Sequence, residues 1–131
     1  MALITPVLIL LLLGAADLGR AFYAYTAITN AAREGARYGA SNPGNSSGIV
    51  ARVQNEVANS QLTIPSGGIS TACSTYTSGS YTKGGNVSCS SAVNGDYITV
   101  NINYTFNFIS GYILGVGSIT LSSNATMAIR T

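Results

Sequence analysis

The stretch MALITPVLILLLLGAADLGRAFYAYTAITNAAREGARYGA, residues 1–40, carries no charge before Asp17 and then keeps helical spacing through Asp17, Arg20, Arg33, Glu34 and Arg37. As a helix, the uncharged run Met1–Ala16 rises roughly 24 Å, a little short of the hydrocarbon core of a bilayer. A secretory signal peptide opens on Lys or Arg and ends at a small-residue cleavage site before the mature domain. Here the charges follow the apolar run, and the helical pattern passes straight through them. Leu18, Phe22, Tyr25, Thr29, Ala32 and Ala36 make one stripe. Ala27, Ala31, Gly35 and Gly39 recur every four residues as a second, narrow ridge, which lets a neighbouring helix approach closely. A plain membrane anchor with an amphipathic extension is the simplest reading of this segment.

Composition narrows the field further. The 131 residues suit one small domain on a helical stalk, and six basic residues against four acidic ones give a net charge of +2, too weak and scattered for nucleic acid. After residue 40 the chain is crowded with Ser, Thr, Asn, Gly and Tyr, a surface that hydrogen-bonds with little charge and suits exposure outside the cell. Cys73 and Cys89 then read as a disulfide. Closing that loop stabilises by roughly 3 kcal/mol on the chain-entropy account. Two reduced, buried thiols are the alternative.

Ser41-Asn42-Pro43-Gly44-Asn45 strings turn formers together, so the first helix is expected to stop near Ala40. A second helix is expected over 46–60, capped by Ser46 or Ser47, with Val50, Val53 and Val57 on one face and Arg52 pairing with Glu56. Residues 66–93 read as loops and short strands around the cysteines. Ile98, Val100, Ile102, Tyr104, Phe106 and Phe108 alternate with polar residues, as do Ile119, Leu121, Ser123, Ala125, Met127 and Ile129. These are two antiparallel strands of a hairpin over 96–130, introduced by the turn Asn94-Gly95-Asp96. Their apolar face needs a cover, which the second helix and the far end of the first can supply. The expected fold is α+β: an N-terminal hydrophobic helix over 1–40, and a small domain over 41–131 in which a short helix packs on a small antiparallel sheet.

The run LLLLGAADLGRAFYAYTAITNAAREGARYGA resembles the N-terminal signature of TadE-like proteins of the tight-adherence (Tad) pilus systems, relatives of type IV pilins. The resemblance covers residues 3–40 closely, including Pro6, Gly14, Asp17, Gly19-Arg20 and the block Asn30–Arg37, and is looser at GDYITVNINYTF and ITLSSNATMAI. It implies a precursor held in the cytoplasmic membrane, trimmed by a prepilin-type peptidase and drawn by an assembly machine into a filament with other pilin-like subunits. Pilin-like chains usually carry Glu a few residues into the mature sequence, whereas this chain has Thr5 followed by Pro6. Laid over this chain, the family pattern would put the acid just before Met1, and Met1 is expected to be a processed end rather than an initiator.

Register between subunits then has to come from elsewhere, and the helix charges are the candidates. Paired charges in a packed helical core are tolerable and fix one alignment. Asp17 with Arg20 and Glu34 with Arg37, each at i,i+3, are expected to set that stagger; four charges at the wet end of an anchor are the simpler reading. Other chemistry is sparse. The chain has no His, which excludes imidazole metal sites and His-dependent nucleophiles, and Glu56 and Asp96 read as a helix-surface charge and a turn residue. Lys83-Gly84-Gly85 lacks the spacing of a phosphate loop, and no cofactor is expected. Sequons at Asn45, Asn86, Asn103 and Asn124 are candidate glycosylation sites, although this composition produces them by chance. Tyr76, Tyr81 and Tyr112 fall on loops, where they can serve contact. The leading expectation is a non-enzymatic, self-associating filament subunit at the cell surface. The alternatives are a minor, tip-located or assembly-priming pseudopilin and a membrane-anchored extracytoplasmic module.

Overall fold

The structure is a computed structural model that describes residues 4–77, 80–81, 87–111, 115 and 117–130. Met1, Lys83-Gly84-Gly85, Asn86 and Tyr112, and the side chains of Tyr76 and Tyr81, lie outside the described part. The fold is α+β, with a long apolar N-terminal helix, a second helix and a three-stranded antiparallel sheet.

Helix α1 spans Ile4–Ser41 without a break. Pro6 stands in its first turn, where a missing N–H removes no helical hydrogen bond. By length and composition α1 is long and apolar enough to cross a membrane. It ends at the turn Asn42-Pro43-Gly44, after which α2 runs over Ser46–Asn59. The cap of α2 is Asn45, one residue before Ser46 and two before Ser47: its Oδ1 accepts the Gly48 N–H at 2.9 Å and the Ser47 hydroxyl at 3.0 Å. A short side-chain carbonyl in the residue before the first turn reaches the third helical N–H, so the helix takes both serines into its first turn. Ile49, Val53 and Val57 form the buried face. Arg52 does not pair with Glu56; its guanidinium lies 5.2 Å from the centre of the Tyr38 ring on α1.

Strand β1 (Ile69–Ser74) is followed by a small hairpin of β2 (Tyr76–Thr77) and β3 (Ser80–Tyr81), then by β4 (Tyr97–Asn107) and β5 (Ser118–Ala128). The sheet order is β1-β4-β5, every pair antiparallel, so β4 is central. Alternation along β4 sends Ile98, Val100, Ile102 and Phe106 inward. Outward go Asn101, Asn103, Thr105 and Asn107, opposite Asn124, Ser122, Thr120 and Ser118. The introducing turn is held by Gly95 at φ +99° and by the buried Asp96 carboxylate, which accepts the Val93 N–H at 2.9 Å. Cys73 and Cys89 form a disulfide, with a Cα–Cα distance of 5.2 Å, that ties the Cys89–Ser91 turn to β1.

The core gathers Ile28, Ile49, Val53, Val57, Ile98, Val100, Ile102 and Ile129. It takes in α1 from Ala24 onward, so it crosses residue 40. Helix α2 runs back along α1: Gly39 meets Ile49, Gly35 meets Val53, and Tyr23 donates its hydroxyl to the Ser60 carbonyl at 3.5 Å. Fourteen residues give α2 a length of about 21 Å. Along the apolar stripe Ala32 and Ala36 are buried and Thr29 meets the Ser123 hydroxyl of β5 at 3.1 Å, while Leu18 and Phe22 are 73% and 72% exposed.

Candidate functional site

The site is the junction where α1 leaves the folded domain. From Ile4 to Ala16 the helix stands bare, and among the described residues before Asp17 only Leu13 is half-buried. The exposed apolar surface includes Ile4, Val7, Leu8, Ile9, Leu11 and Leu12. Soluble surfaces rarely present so continuous an apolar face unless something else covers it.

Asp17 ends this run, 2% exposed. Its Oδ2 accepts the Ser110 hydroxyl at 2.6 Å and the Ser110 N–H at 2.8 Å; its Oδ1 accepts the Ile109 N–H at 3.0 Å and Arg20 Nη1 at 3.3 Å. Four donors satisfy a carboxylate that would otherwise be costly to remove from water. These bonds dock the connection between β4 and β5 onto α1. Arg20 itself is half-exposed, and its guanidinium lies 5.3 Å from the centre of the Phe106 ring. Beside it opens a cleft of roughly 350 Å³ between α1 and β4, lined by Ala16, Gly19, Arg20, Tyr23, Tyr104 and Phe106 among others.

The second charge pair is bidentate: Arg37 donates from Nε and Nη2 to the two Glu34 oxygens at 2.8 and 2.7 Å. The hydrogen bonds from Arg37 hold the Glu34 carboxyl below its ordinary value, against an opposing push from partial burial, and Glu34 in turn raises Arg37. The ridge Ala27, Ala31, Gly35 and Gly39 is buried. Its close approaches are to its own chain, since a Cβ on Gly35 would stand 2.5 Å from Val53 Cγ2 and one on Gly39 2.7 Å from Ile98 Cδ1.

Of the sequons, Asn103 and Asn124 are exposed on the outer face of the sheet. Asn45 is engaged as the α2 cap and donates Nδ2 to the Tyr38 hydroxyl at 3.1 Å. Among the described residues no three Asp, Glu or Cys side chains gather as a metal site. Ile109 and Ser110 are functional residues that sequence reasoning missed. Two of their three donors to Asp17 are backbone N–H groups, which leave no trace in side-chain patterning.

Residues 1–37 match the sequence model of the family described as TadE-like protein. No curated protein and no solved structure matches the chain. The matched segment is the bare part of α1, its Asp17 junction and most of the helix packed in the core. Over that segment the chain is similar to the TadE-like proteins of Tad pilus systems, a structural rather than an enzymatic family.

Proposed function

We propose that the chain is a structural, pilin-like subunit that polymerises through α1 into an extracellular Tad-type filament used for adhesion or surface attachment. The observation that carries this reading is the apolar stripe left exposed on the lower part of α1. Leu11, Leu18, Phe22 and Tyr25 are all exposed, and the last three carry the apolar surface past Asp17. Burying such surface against identical helices contributes about 25 cal/mol per Å² removed from water. The folded domain covers the upper part of α1, so the helices can bundle along its exposed lower part while the uncharged outer face of the sheet remains outside.

Before assembly the same apolar surface is held in the membrane, where a prepilin-type peptidase and the inner-membrane assembly machinery act on the precursor. Register in the polymer falls to Asp17, Arg20, Glu34 and Arg37. Of these, Arg20 and Arg37 reach outward while their acidic partners anchor them on the helix. Asn103 and Asn124 are the candidate sequons whose modification disturbs nothing inside the fold.

Electron microscopy of sheared surface filaments, with the constituent band identified by mass spectrometry, tests the proposal. A filament built mainly of this chain supports it. Trace amounts within a filament of another subunit support a minor or assembly-priming pseudopilin instead, and recovery solely in the membrane fraction supports an anchored module.

A further inference from the structure

We propose that the connection between β4 and β5, at Ile109–Ser110, makes a second contact with the lipid bilayer, held at the membrane surface by Asp17 of the anchor helix. This rests on the reading of α1 as membrane-inserted before assembly.

Height comes first. The Ile109 and Ser110 N–H groups lie 3.0 and 2.8 Å from the Asp17 carboxylate, so this end of the sheet stands beside the residue that directly follows the bare run. Exposure comes second. Ile109 is 52% exposed at that level, although its backbone is docked. Leu18 and Phe22 are also exposed, and they stand about 100° and 140° around the helix from Asp17. Apolar side chains therefore face outward on two sides of the molecule at one height. A groove on a single protein partner covers one side; a bilayer covers every side at a given depth.

The polar groups follow the same logic. With little water at the edge of the hydrocarbon, an anion needs all its donors from its own chain. Asp17 has them, from Ile109, Ser110 and Arg20. Arg20 is half-exposed at the rim and rests against Phe106, the placement of a side chain that buries its stem and keeps its charged head at the phosphate layer.

The chain contains no Trp, so a single introduced one is the sole reporter. The full chain carrying Ile109→Trp is reconstituted in phosphatidylcholine–phosphatidylglycerol vesicles containing doxyl-labelled lipid. Leu10→Trp serves as the anchor control, Ser122→Trp as the aqueous control and Ile119→Trp as a second reporter near the same end of the sheet. The expected result is blue-shifted emission for Ile109→Trp, with shallow-doxyl quenching at least roughly twofold above Ser122→Trp, as for an interfacial side chain. Adding Asp17→Asn should reduce that quenching; an unchanged value overturns the role of Asp17. Quenching of Leu10→Trp with Ile109→Trp and Ile119→Trp as aqueous as Ser122→Trp overturns the lipid contact and leaves the anchor standing. Blue-shifted but unquenched Ile109→Trp means that protein covers the site, which also overturns it. An unquenched Leu10→Trp removes the anchor reading itself, and this proposal with it.

Discussion

Asp17 and Ser110 lie 93 residues apart in sequence and are joined by two hydrogen bonds to one carboxylate oxygen, from the Ser110 hydroxyl at 2.6 Å and its N–H at 2.8 Å. The contact fixes where α1 stops being part of the folded domain and becomes a bare apolar rod. Asparagine at position 17 places an amide NH₂ against donors that need an acceptor. Asp17→Asn is expected to raise the hydrogen-exchange rates of the Ile109 and Ser110 amides by roughly an order of magnitude, the scale of a lost charge-assisted bond. Ser110→Ala keeps both amide bonds and should give a smaller rise. Swapping Asp17 and Arg20 for each other should not restore protection, because three of the four donors to Asp17 belong to residues 109 and 110. Restored protection in the swap would show that the Arg20 pair, not the clasp, holds the connection.

The small-residue ridge gives a second expectation. A Cβ at position 35 would stand 2.5 Å from Val53 Cγ2, and valine has little freedom at χ1 to give way. Gly35→Ala should therefore destabilise by about 1–3 kcal/mol in urea unfolding, the range for overpacking. Gly14 and Gly19 have open space where a Cβ would go. There the same change should be neutral or stabilise by up to about 1 kcal/mol through helix propensity. Val53→Ala should recover part of the Gly35→Ala loss; equal losses at positions 35 and 19 would contradict the packing account.

What the sequence made legible follows from periodicity. Alternation along 98–108 and 119–129 identified the two long strands to within a residue, and the 3.6-residue pattern identified α1 through its charges. Periodicity says that a face is covered without saying by what. The spacing of Ala27, Ala31, Gly35 and Gly39 marks a close approach, and the structure shows its partners to be α2 and β4 of the same chain. The stripe from Leu18 to Ala36 looked uniform, yet Ala32 and Ala36 are buried in the core while Leu18 and Phe22 are exposed, a division that periodicity does not encode. The Asp17 clasp was illegible because backbone donors from a distant connection obey no side-chain code.

Removal of the disulfide should act on β1. This strand pairs with β4 and meets Val87 in an isolated bridge at Cys73, and the same cysteine joins it to the Cys89–Ser91 turn. Cys73→Ser with Cys89→Ser should cost about 2–4 kcal/mol. Exchange protection should fall along Ile69–Ser74 well before it falls along β4. Uniform loss across the sheet would mean that the bridge supports the whole domain and not its edge.

The Glu34–Arg37 pair predicts a pH dependence whose sign is fixed. Hydrogen bonds from Arg37 depress the Glu34 carboxyl in the folded state, so its contribution is fully present above the unfolded value and is lost as pH falls through the lower folded one. Below about pH 4.3 the native chain should lose stability faster than Glu34→Gln, by a small margin typical of a solvent-accessible pair. Thermal melts between neutral pH and pH 3 check this. Parallel pH profiles for the two proteins would show that the pair contributes nothing measurable.

Leu18 and Phe22 separate folding from assembly. Both are more than two-thirds exposed, so the chain's own core does not depend on them. Ala32 lies on the same stripe, fully buried in the core. Leu18→Asn and Phe22→Asn should therefore leave the unfolding transition within about 0.5 kcal/mol of the parent, as surface changes do. Ala32→Leu should lower stability by about 1–3 kcal/mol through overpacking. Sheared-filament yield should follow the opposite order at the surface positions: incorporation lost with Leu18→Asn and Phe22→Asn although the domain remains folded. Normal incorporation of both asparagine variants would show that the exposed stripe does not form the contact between subunits. Assembly would then have to rest on the bare run before Asp17.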